Sequence, residues 1–227
     1  MRNFMTTVSA AAVALAVFAT APASAESLAG SYLAARSAAI DYDFEAAAKY
    51  YSLALARDPD NVEVMENAVL AYLGMGDVAR AVPLSERIVE AGYKSQSARM
   101  ALTAAMVDAG DFAALAEQEI ESDGISQWVD GLVRAWALIG SDDIDAAMAQ
   151  FDLVADGAGM GAVVSFHKAL ALATVGRYAE AQELFDSDAT GASAGSRRAV
   201  LAQVEILSQL GRNEDALRLI ETTFSGS

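Results

Sequence analysis

Six short turns of one kind recur along this chain, and their spacing leaves it few ways to fold. A glycine, a polar residue and a few residues ending in alanine occur at Gly76-Asp77-Val78-Ala79-Arg80-Ala81, Gly110-Asp111-Phe112, Gly176-Arg177-Tyr178-Ala179-Glu180-Ala181 and Gly211-Arg212-Asn213-Glu214-Asp215-Ala216. Looser copies are Tyr42-Asp43-Phe44 through Ala47 and Asp142-Asp143-Ile144 through Ala147. Aligned on these turns, the repeats start at Leu28, Val62, Gln96, Trp128, Ala162 and Arg197, spaced 34, 34, 32, 34 and 35 residues apart. A unit of this length holds two helices of about a dozen residues and cannot bury its apolar face alone, so neighbours must stack. Six such units use essentially all of residues 26–227 and leave no room for a separate catalytic domain.

Local chemistry supports the reading. Alanine supplies 51 of the 227 residues against an aromatic share of only 7%, which favours closely packed helices over sheet. Glycine at each turn can take the left-handed conformation that closes a helix, and Asp43, Asp77, Asp111 and Asp143 can cap the next one. The second helix of the first repeat, Phe44 to Arg57, is expected to stop before Asp58-Pro59. Asp60 with Glu63 reads as a capping box for the helix that follows. Pro83, beyond the first turn of its helix, predicts a kink or a late start.

The period and these residues resemble the tetratricopeptide repeat family, over the whole of residues 26–227. The first repeat carries Phe44, Ala47, Tyr51, Ala54, Leu55 and Pro59 at the family's signature places; the second carries Tyr72, Gly76, Asp77 and Ala81. The fourth carries Ala147 and Phe151, and the fifth Gly176, Tyr178, Ala181 and Phe185. In the third repeat Leu115 and Glu119 stand where the family has a small residue and an aromatic, so its second helix is the least secure element. The family's first-helix tryptophan is missing, and Trp128 and Trp136 sit elsewhere. The resemblance implies an all-α, right-handed superhelical solenoid of about six helix-turn-helix repeats whose first helices line a concave binding face.

By that analogy the fifth and ninth residues of each repeat face inward: Tyr32 and Arg36, Glu66 and Leu70, Met100 and Ala104, Leu132 and Trp136, Phe166 and Leu170, Leu201 and Glu205. The middle of this surface is apolar and, apart from Arg36, lacks the basic and amide side chains with which some family members clamp a peptide carboxylate. An apolar partner segment anchored near Trp136 and Phe166 is therefore expected. Leu132, Trp136, Phe166 and Leu170 at helical spacing are equally compatible with packing between helices. The sixth repeat ends without an additional polar helix, so its last face is expected to be covered by a continuation of the chain or by a second copy.

Residues 1–25 read as a cleavable secretory signal peptide. Arg2 gives a basic start, Val8 to Ala21 is almost wholly apolar, and Ala23-Ser24-Ala25 supplies small residues for cutting after Ala25. The apolar run is shorter than the roughly 20 residues that span a bilayer. Export, with the periplasm of a bacterial envelope as first choice, is the resulting expectation. A net charge of −16 disfavours nucleic acid and anionic lipid.

Chemistry is sparse. No cysteine is present, which removes thiol nucleophiles and thiolate metal sites, and a single histidine removes multi-histidine ones. His167 lies mid-helix with no nameable nucleophile or orienting carboxylate. Gly157, Gly159 and Gly161 lack the strand before and the Gly-Lys-Ser/Thr after that a phosphate loop needs. Asp142, Asp143 and Asp145, like Asp58 and Asp60, sit at helix starts and lack the glycine and distal glutamate of a calcium loop. No catalytic residue, cofactor or metal is expected. The sequence points to a non-enzymatic protein-interaction scaffold of the envelope; the alternative is a regulatory or assembly subunit whose groove packs on a C-terminal continuation or a second copy.

Overall fold

The repeat period is realised as twelve helices among the described residues, which are 28–118, 124–157, 160–187, 190 and 196–224 of a computed structural model. The signal-peptide reading of residues 1–25 lies outside them. The first helices of the six repeats are α1 (Leu28–Ile40), α3 (Val62–Gly74), α5 (Gln96–Ala109), α7 (Gln127–Gly140), α9 (Gly161–Thr174) and α11 (Arg197–Gln209). Their partners are α2 (Phe44–Leu55), α4 (Val78–Glu90), α6 (Phe112–Glu117), α8 (Ile144–Ala155), α10 (Tyr178–Asp186) and α12 (Asn213–Phe224). Every first helix begins within one residue of its expected start, and no strand occurs among the described residues. The helices group into two bodies, one up to Asp77 with α1 to α3 and one from Val78 with α4 to α12.

All six turns within repeats share one geometry. Tyr42, Gly76, Gly110, Asp142, Gly176 and Gly211 have φ of 59, 72, 71, 61, 78 and 72°, the left-handed conformation that glycine enters freely and other residues enter at a cost. The next amide in each case donates to the carbonyl five residues back, from Asp43 to Ala38, Asp77 to Tyr72, Asp111 to Met106, Asp143 to Leu138, Arg177 to Leu172 and Arg212 to Leu207, at 2.8–3.0 Å. This closes the end of the first helix by satisfying a carbonyl that has no partner within it. Asp43 and Asp143 then cap α2 and α8, accepting from the amides of Ala46 and Ala146.

Four local expectations are corrected. Asn61, not Asp60, caps α3, its Oδ1 accepting from the Val64 amide, and the Glu63 carboxylate meets the Tyr32 hydroxyl. α4 starts on time at Val78 and runs through Pro83; Pro83 is exposed, so water can reach the carbonyl that loses its amide partner. Asp111 precedes α6 without a side-chain capping bond. α2 also ends two residues earlier than expected, at Leu55.

Half of the buried apolar residues are alanine, which is what lets these helices approach closely. Ala47, Ala81, Ala147, Ala181 and Ala216 are buried at one repeat position, and Tyr51, Phe151 and Phe185 fill the next turn of α2, α8 and α10. Leu115 takes the alanine position in the third repeat, where α6 spans six residues and Gln118 leaves the helix at ψ 126°. Two contacts between repeats rest on missing side chains. A Cβ at Gly74 would lie 2.7 Å from the Phe44 ring, and one at Gly140 would lie 2.6 Å from the Phe112 ring.

Candidate functional site

The residues expected to face the groove divide by environment. In the first body, Arg36 lies over the Tyr32 ring, 6.0 Å from its centroid, and Tyr32 also meets Tyr51 edge to face at 6.2 Å. The Glu63 carboxylate accepts from the Tyr32 hydroxyl and raises the pKa of that phenol. Glu66 is half-buried and Leu70 is exposed. In the second body, Met100, Leu201 and Glu205 are exposed and Ala104 and Leu170 are half-buried. Leu132 and Phe166 are buried in the core, Leu132 with Phe151 and Val164, Phe166 with Phe185 and Ile206. Their side chains pack between helices, and of the four apolar anchors Leu132 and Trp136 also line an open space.

That space is a cavity of about 540 Å³ with almost wholly apolar walls. Val107 of α5, Trp128, Val133 and Trp136 of α7, and His167 and Thr174 of α9 line it, so first helices of three consecutive repeats contribute; Phe112 and Leu115 of α6 form its remaining wall. The cavity adjoins the shortest helix among the described residues, α6. Trp128 and Val107 are each 48% exposed, placing them at the mouth.

Trp128 and Val107 were not among the sequence-derived groove residues. The signal for Trp128 was present, because it stands one helical turn before Leu132 and two before Trp136 on one face of α7. Val107 carried no such mark, since its role follows from how short α6 is.

Trp136 is fixed by several contacts. Its indole N–H donates to His167 Nδ1 at 3.1 Å, so the neutral imidazole carries its proton on Nε2. Its ring meets Phe151 and His167 edge to face, each at 6.2 Å between centroids. Burial, with a smaller contribution from Arg198, lowers the His167 pKa from 6.5. The imidazole thus bonds to an indole rather than to an orienting carboxylate, and it packs edge to face against Trp136 and Phe166.

The other polar clusters have structural tasks. Asp143 caps α8 while Asp142 occupies the left-handed turn before it. Asp58 accepts from Asn61 Nδ2 at 2.9 Å, bracing the cap of α3. Gly161 opens α9, and Gly159 lies outside the described residues. No helix among the described residues is long and apolar enough to cross a membrane.

No family model matches the chain, and no curated protein matches it. Among solved structures, a tetratricopeptide repeat protein from Parabacteroides merdae is 14% identical and superposes with a TM-score of 0.71, covering 88% of this chain and 80% of that one. A structure of the MamA protein is also 14% identical, covering 87% of this chain and 90% of that one with a TM-score of 0.40. The first of these likenesses agrees with the six-fold turn geometry, the period and the alanine-lined core. The chain has the tetratricopeptide-repeat fold.

Proposed function

We propose that the protein is a non-enzymatic scaffold that binds an apolar segment of another protein, with the α5/α7/α9 cavity as anchor site. The observation that supports this reading is the cavity itself. Its volume of about 540 Å³ lies in the range of ligand pockets, its walls lack the convergent polar groups that catalysis needs, and exposed Trp128 stands at its mouth. Buried aromatic and aliphatic anchors dominate such interfaces. The acidic balance of the chain favours encounter with a segment that carries basic residues beside its apolar anchors.

We further propose that this binding takes place in the bacterial envelope after cleavage at Ala25. The apolar run and the Ala-Ser-Ala sequence of residues 8–25 support export.

Both tryptophans of the chain line the cavity, so intrinsic fluorescence reads its occupancy directly. Affinity capture from an envelope extract is the corresponding test, run beside Val107→Glu and Trp128→Ala, two changes at exposed positions. A protein retained by the parent, lost by both variants and shifting tryptophan emission on binding would support the assignment. The same protein retained equally by all three would overturn it.

A further inference from the structure

Whether a segment enters the α5/α7/α9 cavity as a helix or as an extended strand depends on what the walls can offer its backbone. Every residue lining the cavity belongs to a helix, so the backbone around it is taken up by helical bonding. Polar side-chain atoms of the walls are engaged as well: Trp136 Nε1 donates to His167 Nδ1, and Thr174 Oγ1 donates to the Leu170 carbonyl of its own helix. An extended strand laid in such a cavity would take its N–H and C=O groups out of water without finding partners for them. A helix satisfies its backbone internally and presents only side chains.

Shape and size agree. On α7 the lining runs from Trp128 in the first turn through Leu132 and Trp136 to Gly140 in the last, a stripe about 18 Å long at 1.5 Å per residue. Residues at this spacing form the ridge against which a second helix packs. A void of roughly 150 Å³ holds one benzene-sized ring. The cavity of about 540 Å³ therefore has room for about three large side chains, which a helix of three turns projects from one face.

The two ends of the slot differ in charge. Val107, Gly140 and Thr174 stand in the last turns of α5, α7 and α9, where carbonyl ends concentrate negative potential, and none of these turns contains a basic residue. Asp108 and Asp111, next in sequence to the lining residues Val107 and Phe112, are exposed at this end, and neither is held in an ion pair among the described residues. The basic residues lie elsewhere: Arg134 is midway along α7, Lys168 is paired with Asp152, and Arg198 acts on His167 from the first turn of α11.

We infer that the captured segment is an amphipathic α-helix of about three turns, lying along α7 and antiparallel to it, with a basic N-terminal turn over Asp108 and Asp111 and its apolar face in the cavity. The inference rests on the cavity being the anchor site, and it names the conformation, direction and charge of what the site takes.

Three synthetic peptides test it, each of about 15 residues so that a helix is accessible, built of alanine and glutamine with leucine at helical spacing. The first carries two lysines in its first turn, the second carries them in its last turn, and the third is the first with proline at its centre. Binding to the full chain is read from the emission of Trp128 and Trp136 and from ellipticity at 222 nm beyond the sum of the components. The first peptide should bind and gain helicity. Proline should weaken binding by about a hundredfold, and moving the lysines to the last turn by about two- to fivefold at low salt. Asp108→Asn with Asp111→Asn should remove most of that second difference, and Val107→Glu should abolish binding of all three; circular dichroism verifies that these variants, changed at exposed positions, are folded. Equal binding of the proline peptide, or binding without gained helicity, would overturn the helical assignment and leave the anchor site standing. A preference for lysine in the last turn would overturn the direction, and binding unaffected by Val107→Glu would overturn the location. A parent that binds none of the peptides yet captures an envelope protein with a shift in tryptophan emission would overturn this inference alone, whereas failure of both would remove the anchor site itself.

Discussion

The junction between the first and second repeats and that between the third and fourth begin alike and end differently. In both, a phenylalanine at the start of the second helix fills the space left by a glycine, Phe44 against Gly74 and Phe112 against Gly140. α2 then continues for twelve residues and buries Ala47, Ala48, Tyr51 and Ala54. α6 stops after six, burying Leu115 and Ala116, and the large apolar cavity adjoins it. A repeat can thus keep the contact that sets its register while losing the half-helix that would fill the adjoining space.

The largest expected contrast is between the two second-helix cores. Tyr51 is 2% exposed and Leu115 is 4% exposed, yet only Leu115 borders the cavity. Tyr51→Ala should cost on the order of 3–5 kcal/mol, as for other large buried side chains, and Leu115→Ala about 2 kcal/mol, at the low end for its type because part of its surroundings is already void. Urea denaturation of the two variants measures both. Equal losses would mean that the cavity is not a packing defect in the sense drawn above.

Glycine substitutions probe the shared part of the comparison. Gly74→Ala should destabilise by about 1–3 kcal/mol, since the Phe44 ring must be displaced. Gly140→Ala should cost less, because Phe112 borders open space into which its ring can move. The same reasoning applies to the turns. Gly176→Val places a β-branched residue at φ 78° with free space around the new Cβ, so the loss of about 1–2 kcal/mol comes from backbone strain alone. Gly110→Val, at φ 71°, should lose less if short α6 can detach and release its turn. Thermal unfolding followed at 222 nm resolves each pair.

The regular part of the molecule was legible because it is written several times. Turn glycines, capping aspartates and buried alanines recur at a fixed period, so helix starts and the all-α fold followed from counting. Tyr42 and Asp142 show how far this extends, since both adopt the glycine conformation where the sequence has none. Even the weakness of α6 could be read from Leu115 and Glu119. The site was less legible. Period placed Leu132 beside Trp136, where both line the cavity, but it placed Phe166 there too, and whether a side chain at that position faces open space or a neighbour depends on the length and packing of adjacent helices. At the cavity that depends on where α6 ends, which no residue of α7 or α9 records.

The smallest effect expected is one of pH, and it belongs only to the cavity side of the comparison, because His167 is the single histidine of the chain. Burial and Arg198 hold its pKa below 6.5 in the folded protein, whereas the unfolded chain releases it to about the ordinary value of roughly 6.5. Between those two values the unfolded state binds more proton than the folded one, so stability falls as pH is lowered through the interval. The contribution is fully present above 6.5 and lost once pH drops below the folded-state value. Protonation at Nδ1 would also remove the acceptor for the Trp136 indole. His167→Gln cannot titrate, so the difference in stability between parent and variant should narrow or change in the parent's disfavour as pH falls from 7 toward 5, by guanidinium titration at each pH. A parent that instead gains stability relative to the variant on acidification would mean that an acidic group faces the imidazole, and would restore an acid–base role to the one histidine lining the cavity.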